Sequence, residues 1–323
     1  MKAWKLIVPA AIALIPLVLE SSYWASVATE VMIVTIFAQS LNLLLGYAGL
    51  FAFGQAAFFS IGGYVLAILL TVFGTGHLVA IAGALFAACL AAAVFAIISL
   101  RTSGIPFVMI TLALGQLVWS LAMRMVGVTG GENGMSGIPR PTLPFVDLTD
   151  PYVFYVLCVV IAAINAGWSA LFIRAPLGAA LRGTRDQPRR MSSLGFNVWG
   201  IRWLAFVVSG FWAGLAGVLF VYFQQYVSPN IASLDQSAEA LLAVIIGGAA
   251  TLVGPLVGAI VVVGAKSVIG MFFDRWPLVL GLIFIFVVVV TPEGLVVRAQ
   301  MLRKRFGGAA KSHAATQAGE VGK

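Results

Sequence analysis

Apolar runs close to membrane-crossing length recur along almost the whole chain, and they leave it very few folds. They cover residues 6–19, 27–45, 50–72, 78–100, 104–126, 152–173, 204–227, 238–250, 254–272 and 277–291. Crossing ~30 Å of hydrocarbon takes about 20 helical residues, and a backbone in lipid must satisfy its own N–H and C=O groups. The expected fold is therefore an all-α integral membrane protein, a polytopic helical bundle of about ten segments. The run at 238–250 is short and also fits a re-entrant half-helix. Only 9% of the residues are charged and 61% are hydrophobic, whereas a soluble domain carries about 25% charge. The first residues, MKAWKLIVPAAIALIPLVLESSYW, have the basic end and apolar core of a signal peptide. They lack a small-residue cleavage site before Glu20 and are expected to stay as a first span.

The net charge of +8 is concentrated between and after the spans. The longest polar interruption, residues 174–203, holds Arg174, Arg182, Arg185, Arg189, Arg190 and Arg202 against Asp186, a surplus of +5. The tail from Arg298 onward has the same surplus. Charge confined to span ends is a topology signal, not the continuous stripe that binds nucleic acid. Lys2, Lys5 and the basic tail place both termini in the cytoplasm, which an even number of crossings satisfies. The count then puts Arg101 and the 174–203 loop in the cytoplasm and the 127–150 loop outside. Residues 1–297 form the membrane domain in this reading, and 298–323 a disordered basic tail on the inner leaflet.

The 174–203 loop has internal punctuation. Asp186 or Gln187 can cap a helix, Pro188 suits a first turn, and Gly195 with Asn197 suits a stop. One short helix is expected, at about 188–194. It can serve as a basic anchor on anionic lipid or as a docking element for a cytoplasmic partner.

LGAALRGTRDQPRRMSSLGFNVWGIRWLAFVVSGFWAGLAGVLF resembles the coupling-loop region of branched-chain amino acid ABC-transporter permeases of the LivM type. SLNLLLGYAGLFAFGQAAFFSIGGYVLAIL (40–69) and IGGAATLVGPLVGAIVV (246–262) are similar to other parts of that family, in the family's order. The resemblance implies a loop helix seated in a groove of an ATP-binding subunit, with Arg182, Arg185, Asp186, Pro188, Arg189, Arg190, Leu194, Gly195 and Asn197 as coupling residues. It also implies two ATP-binding subunits, a second homologous permease subunit, a periplasmic substrate-binding protein and the bacterial inner membrane. No cofactor is implied. Where the family commonly has an acidic residue followed by small ones, this chain has Pro188-Arg189-Arg190-Met191, a pattern suited to a particular ATPase. Branched-chain amino acids are the implied substrates, and similar permeases handle urea, short amides or aromatic acids.

Two Gly-rich stretches lie at membrane depth, Gly46 to Gly63 and Gly247 to Gly258. Glycine there permits close packing or breaks a helix, and a broken segment in each half points to a translocation path. At a helical rise, Gln55 lies about 13 Å inside a turn at Gly46. The candidate path residues are Gln39, Asn42, Gly54, Gln55, Ser60, Thr111, Gln116, Gly247, Gly248 and Pro255, with Ser209 a further intramembrane polar residue. Interhelical hydrogen bonding accounts for any one of the polar residues, and a polar solute path for the group. The 129–139 loop reads as turn chemistry, and the resemblance makes its Glu132 a docking candidate for the binding protein.

No G-x-x-x-x-G-K-[ST] occurs, so ATP hydrolysis is expected on a partner. His77 and His313 have no metal-ligand cluster around them, and Cys89 and Cys158 read as buried free thiols. Glu30 and Glu239 read as lying near span ends, which leaves no midplane carboxylate for proton coupling. That weakens the secondary-transporter alternative, and a channel is the other reading not driven by ATP.

Overall fold

The computed structural model describes residues 22–143, 146–269, 278, 281, 282, 285 and 294–298. The expected span at 6–19 and nearly all of the span at 277–291 lie outside these residues, as does the tail from 299. The central element is α1 (Ser22–Asn42), which runs on as a π-helix over Leu43–Ala48. Its apolar stretch is 94% buried, whereas those of the peripheral spans are at most 28% buried. A helix apolar all round is stable only with neighbours on every side.

Around α1 stand α2 (Gln55–Thr71), α3 (His77–Ser99), α4 (Ile105–Arg124), a single turn α5 (Val126–Thr129) and α6 (Pro151–Arg174). Then follow α7 (Pro176–Asp186), α8 (Pro188–Ser193), α9 (Val198–Gln224), α10 (Leu234–Gly247) and α11 (Gly254–Ile269). Among the described residues, five helices are long and apolar enough to cross a membrane: α1 with its π-helical end, α3, α4, α6 and α9. The helices α2, α10 and α11 are shorter. The expected run at 50–72 is not one helix, because residues 49–54 are irregular and α2 starts at Gln55.

Small residues bring α2, α3 and α9 together. Ala80, Ala84, Ala88, Ala92 and Ala96 repeat every fourth position on α3, and all five are fully buried. They meet Gly210 and Gly214 of α9, where a Cβ would collide with Ala92 and Ala88. On the other flank of α9 a Cβ at Gly217 would strike the Phe59 carbonyl, and one at Gly62 of α2 the Gly214 backbone. Without a hydrophobic driving force between helices in lipid, such backbone proximity supplies the dispersion that holds them. The opposite face of α3 exposes Leu78, Phe86, Leu90, Val94 and Ile97. Phe37, Phe58, Phe59 and Phe206 fill the space between α1, α2 and α9, with Phe37 and Phe59 centroids 4.7 Å apart.

The loops sort to two ends of the bundle. One end carries α7, α8 and the turns at 46–54 and 248–253. The other carries residues 125–143 and 146–150, which are held to the C-terminus of α9. There β1 (Met135–Ser136) pairs antiparallel with β4 (Tyr226–Val227), while β2 (Thr142–Leu143) and β3 (Val146–Asp147) form a separate hairpin. Arg140 donates from Nε and Nη2 to the carbonyls of Tyr222 and Phe223, both at 3.0 Å, and stacks 5.0 Å from the Phe154 ring centroid. A cation at the last carbonyls of α9 satisfies groups the helix leaves open. Both cysteines are free thiols.

Candidate functional site

The 174–203 region folds as two helices, not the single expected one. The pre-proline residue Ala175 is extended, so α6 ends there and α7 begins at Pro176. The new helix folds back on α6 so closely that a Cβ at Gly178 would strike the Phe172 carbonyl. Arginines hold α7 to the bundle. Arg185 donates to the Gly46 carbonyl of the π-helix, Arg182 to the Ile173 carbonyl at 3.3 Å, and Arg202 of α9 to the Thr184 carbonyl at 2.6 Å. The Arg185–Asp186 pair, 3.9 Å apart and well exposed, contributes little beside these.

The second helix, α8, buries no residue at all. Pro188 occupies its first turn, but neither Asp186 nor Gln187 caps it with a side chain, contrary to expectation. It stops in a Schellman turn: the Phe196 N–H reaches the Met191 carbonyl at 3.1 Å and the Gly195 N–H the Ser192 carbonyl at 3.0 Å, with Gly195 at φ +85°. Asn197 does not belong to that stop. Its Oδ1 accepts from the Gly200 N–H at 2.9 Å and caps the start of α9. Arg189, Arg190 and Leu194 are exposed, as is Phe196. Beside them lies an open apolar groove of about 410 Å³ between α7 and the start of α9, lined by Leu177, Ala180, Phe196, Ile201 and Leu204 among others.

At the end of the bundle that carries α7, the two Gly-rich stretches touch. Asn42 joins them: its Oδ1 accepts from the Ala250 N–H and its Nδ2 donates to the Thr251 carbonyl, both at 2.9 Å. Gly46 lies so close that a Cβ would strike the Ala250 backbone. Gly247 and Gly254 are in equally close backbone contact, Gly248 has φ +108°, and Pro255 is buried in the first turn of α11. Gly54 sits against the Thr111 carbonyl of α4, and the Phe53 N–H donates to Thr111 Oγ1 at 3.2 Å.

Gln55 opens α2 beside Ser40, in the last turn of α1, because the chain climbs back through the irregular 49–54 segment; the helical-rise estimate from Gly46 does not apply. Its Nε2 donates to Ser40 Oγ at 2.9 Å and Ser209 Oγ at 2.8 Å. Each serine donates its own proton elsewhere, to the Phe37 and Ser40 carbonyls, so both hydroxyls must accept and the amide orientation follows. Gln55 Oε1 has no donor among the described residues. Ser60 is buried and bonds its own helix at Ala57, Gln39 is buried beside Ser40, and Gln116 is half-buried on α4. Of the candidate path residues, then, the folding brings Asn42 to the second broken stretch, Gln55 to Ser209, and Thr111 to Gly54. Ser40 and Ser237, whose hydroxyl accepts from the Ala56 N–H at 3.1 Å, complete the polar interior and were not anticipated.

Lys266 was also not anticipated. It reaches Glu30 of α1 at 2.9 Å and Glu239 of α10 at 3.8 Å. Both acids are shielded in the packed bundle: Glu239 is buried and Glu30 half-buried. A single cation within the apolar run at 254–272 was the available signal, since an unpaired charge there would be costly. Glu132, by contrast, is exposed on a 3₁₀ turn over Gly131–Asn133, at the end of the bundle away from α8.

These features define a multi-pass helical membrane protein, with broken segments in the bundle and a helix pair outside it. Residues 23–290 match the family described as branched-chain amino acid transport system, permease component, and the chain belongs to that family. It is 29% identical over 312 residues to the high-affinity branched-chain amino acid transport system permease protein LivM of Escherichia coli (strain K12), covering 90% of this chain and 73% of that one. It is 28% identical, with the same coverage, to the LivM protein of Salmonella typhimurium. A stretch of 80 residues is 29% identical to the guanosine ABC transporter permease protein NupQ of Bacillus subtilis, covering 25% of this chain and 24% of that one. No solved structure matches. As a permease component, the chain works with ATP-binding and substrate-binding components.

Proposed function

We propose that the chain forms half of the translocation path of an ATP-driven importer of branched-chain amino acids in the bacterial inner membrane. One observation carries the coupling half of this reading: α8 buries no side chain, while α7 beneath it is tied by arginines to the π-helix and α9. An unburied helix on a rigid mount is suited to a groove on another subunit. In this reading α8, with Arg189, Arg190, Leu194 and the Gly195 stop, docks on one of two ATP-binding subunits. Arg182 and Arg185 transmit its displacement to α6 and to the π-helix. The motion would reach the contact between the broken segments at Asn42 and Ala250, beside Gln55, Thr111 and Gly247.

A second homologous permease subunit completes the path, and the loop around Glu132 receives the substrate-binding protein. The α8 end is cytoplasmic, as are both termini, and residues 1–297 act as the membrane domain with 298–323 as a basic tail. The chosen substrate class follows the names of the LivM relatives.

The test is reconstitution of the chain with its ATP-binding subunits and second permease in vesicles, with loaded binding protein on the α8-distal side. ATP-dependent leucine uptake is expected, with no ATP hydrolysis by the chain alone. Uptake that persists without the ATP-binding subunits would overturn the proposal in favour of a channel or secondary transporter.

A further inference from the structure

The cluster of Glu30, Lys266 and Glu239 has no part in the coupling just described. It joins three helices, α1, α11 and α10, and carries one negative charge in excess when all three groups are ionised. Glu30 lies twelve residues along α1 from Asn42, and Lys266 twelve along α11 from Gly254. The cluster is thus ~18 Å above the level where the broken segments meet. Charged side chains at such depth face the bundle interior or a wet cavity, because hydrocarbon does not solvate them.

Two observations set it apart from a closed structural ion pair. Glu239 Oε1 is buried without a hydrogen-bond donor among the described residues, and the nearest cation, Lys266 Nζ, stands 3.8 Å away, beyond hydrogen-bond length. Side-chain exposure also rises across the cluster, from 7% at Glu239 to 20% at Glu30 and 34% at Lys266. One flank is open and the innermost acceptor is unsatisfied. A buried charge group that serves only to hold helices together is stable when its acceptors are all met.

We propose that these three residues form a transient binding point for the main-chain groups of a zwitterionic α-amino acid in passage. The inference rests on the importer reading above. The solute's ammonium brings three N–H donors to Glu239 and Glu30, supplying the donor that Oε1 lacks. Its carboxylate takes up the ammonium of Lys266, which moves off Glu30 toward the open flank. The solute is neutral overall, so its arrival adds no net charge to a poorly solvated site. Only the groups common to all amino acids are gripped, which leaves the choice of side chain to other parts of the system.

The experiment uses the assembled complex in vesicles with loaded binding protein. Glu239→Gln keeps the shape and the 2.9 Å Lys266–Glu30 pair while removing the carboxylate offered to the ammonium. It is expected to assemble normally and to lower leucine uptake about tenfold or more, the loss of one charge-assisted contact. Glu239→Asp should keep uptake within about threefold, since the charge remains. The neutral triple variant Glu30→Gln/Glu239→Gln/Lys266→Met removes every charge together, a change that buried ion clusters commonly tolerate in stability. Assembly of the triple variant with lost uptake supports the proposal. Wild-type uptake by either Glu239→Gln or the triple variant overturns it and leaves the cluster a structural tie. A wild-type complex that takes up no leucine instead overturns the importer reading, and this inference with it.

Discussion

Replacing Gly195 with valine tests whether α8 is a docking element or a lipid anchor. The residue sits at φ +85° with open space among the described residues where a Cβ would go, so the perturbation is backbone strain without a clash. Holding an L-residue in the left-handed region costs roughly 1–2 kcal/mol, with a β-branched residue at the upper end. The alternative is to relax to negative φ, which gives up the Schellman bonds at 3.0 and 3.1 Å. Those contribute roughly 0.5–1.5 kcal/mol each, so the cheaper route still costs about 1–2 kcal/mol. Because α8 buries no side chain, no core packing compensates. The ratio of ordered to disordered helix stop should fall about five- to thirtyfold. Leucine uptake in reconstituted vesicles is expected to drop, by at most that factor, while the protein inserts and ATP hydrolysis becomes uncoupled from uptake. Gly195→Asn, which tolerates the left-handed region, should lose much less. The double variant Arg189→Gln/Arg190→Gln should retain most activity, because both side chains lie exposed on a helix that would dock by its shape. A lipid anchor reverses the ranking, at about 1 kcal/mol per basic residue near an anionic surface. Full uptake by Gly195→Val with loss in the double arginine variant would refute the docking argument.

Three further outcomes are expected. Asn42→Leu removes both partners of the Ala250 N–H and Thr251 carbonyl, and should cost roughly 1–3 kcal/mol for each group left unmet, seen as a lower melting temperature in detergent; an unchanged melting temperature would show that the broken stretches are held apart from this clamp. Gly217→Leu forces a side chain onto the Phe59 carbonyl, so properly packed protein should be largely lost on size-exclusion chromatography, whereas Gly264→Leu, with no atom of the described residues within 4 Å of its Cβ, should be tolerated. Cysteines placed at Ser193 and Lys311 should resist an impermeant reagent in intact cells while one at Asn133 reacts; labelling of Ser193 from outside would invert the proposed orientation.

The membrane class and the main long helices were legible in the sequence because each depends on a local property. A run of about 20 apolar residues crosses a bilayer whatever surrounds it, and the stop at Gly195 needs only a residue free to take positive φ. The proline at 188 likewise announced the start of α8. Other features depended on partners remote in the chain. Asn42 reads as a polar residue on a buried face, and only folding brings it within 2.9 Å of residues 250 and 251. The helix α7 was hidden because its register is set by contact with the end of α6 and by arginines bonding backbone carbonyls on other elements. Asn197 shows the same limit locally: Asn suits either a helix stop or a helix start, and the path of the chain into α9 chose the start. Glu30, Glu239 and Lys266 are isolated charges in three separate apolar runs, two of them more than two hundred residues apart. Burial of a charge is tolerable only beside its counter-charge, and it was the packing of α1, α10 and α11 that supplied one.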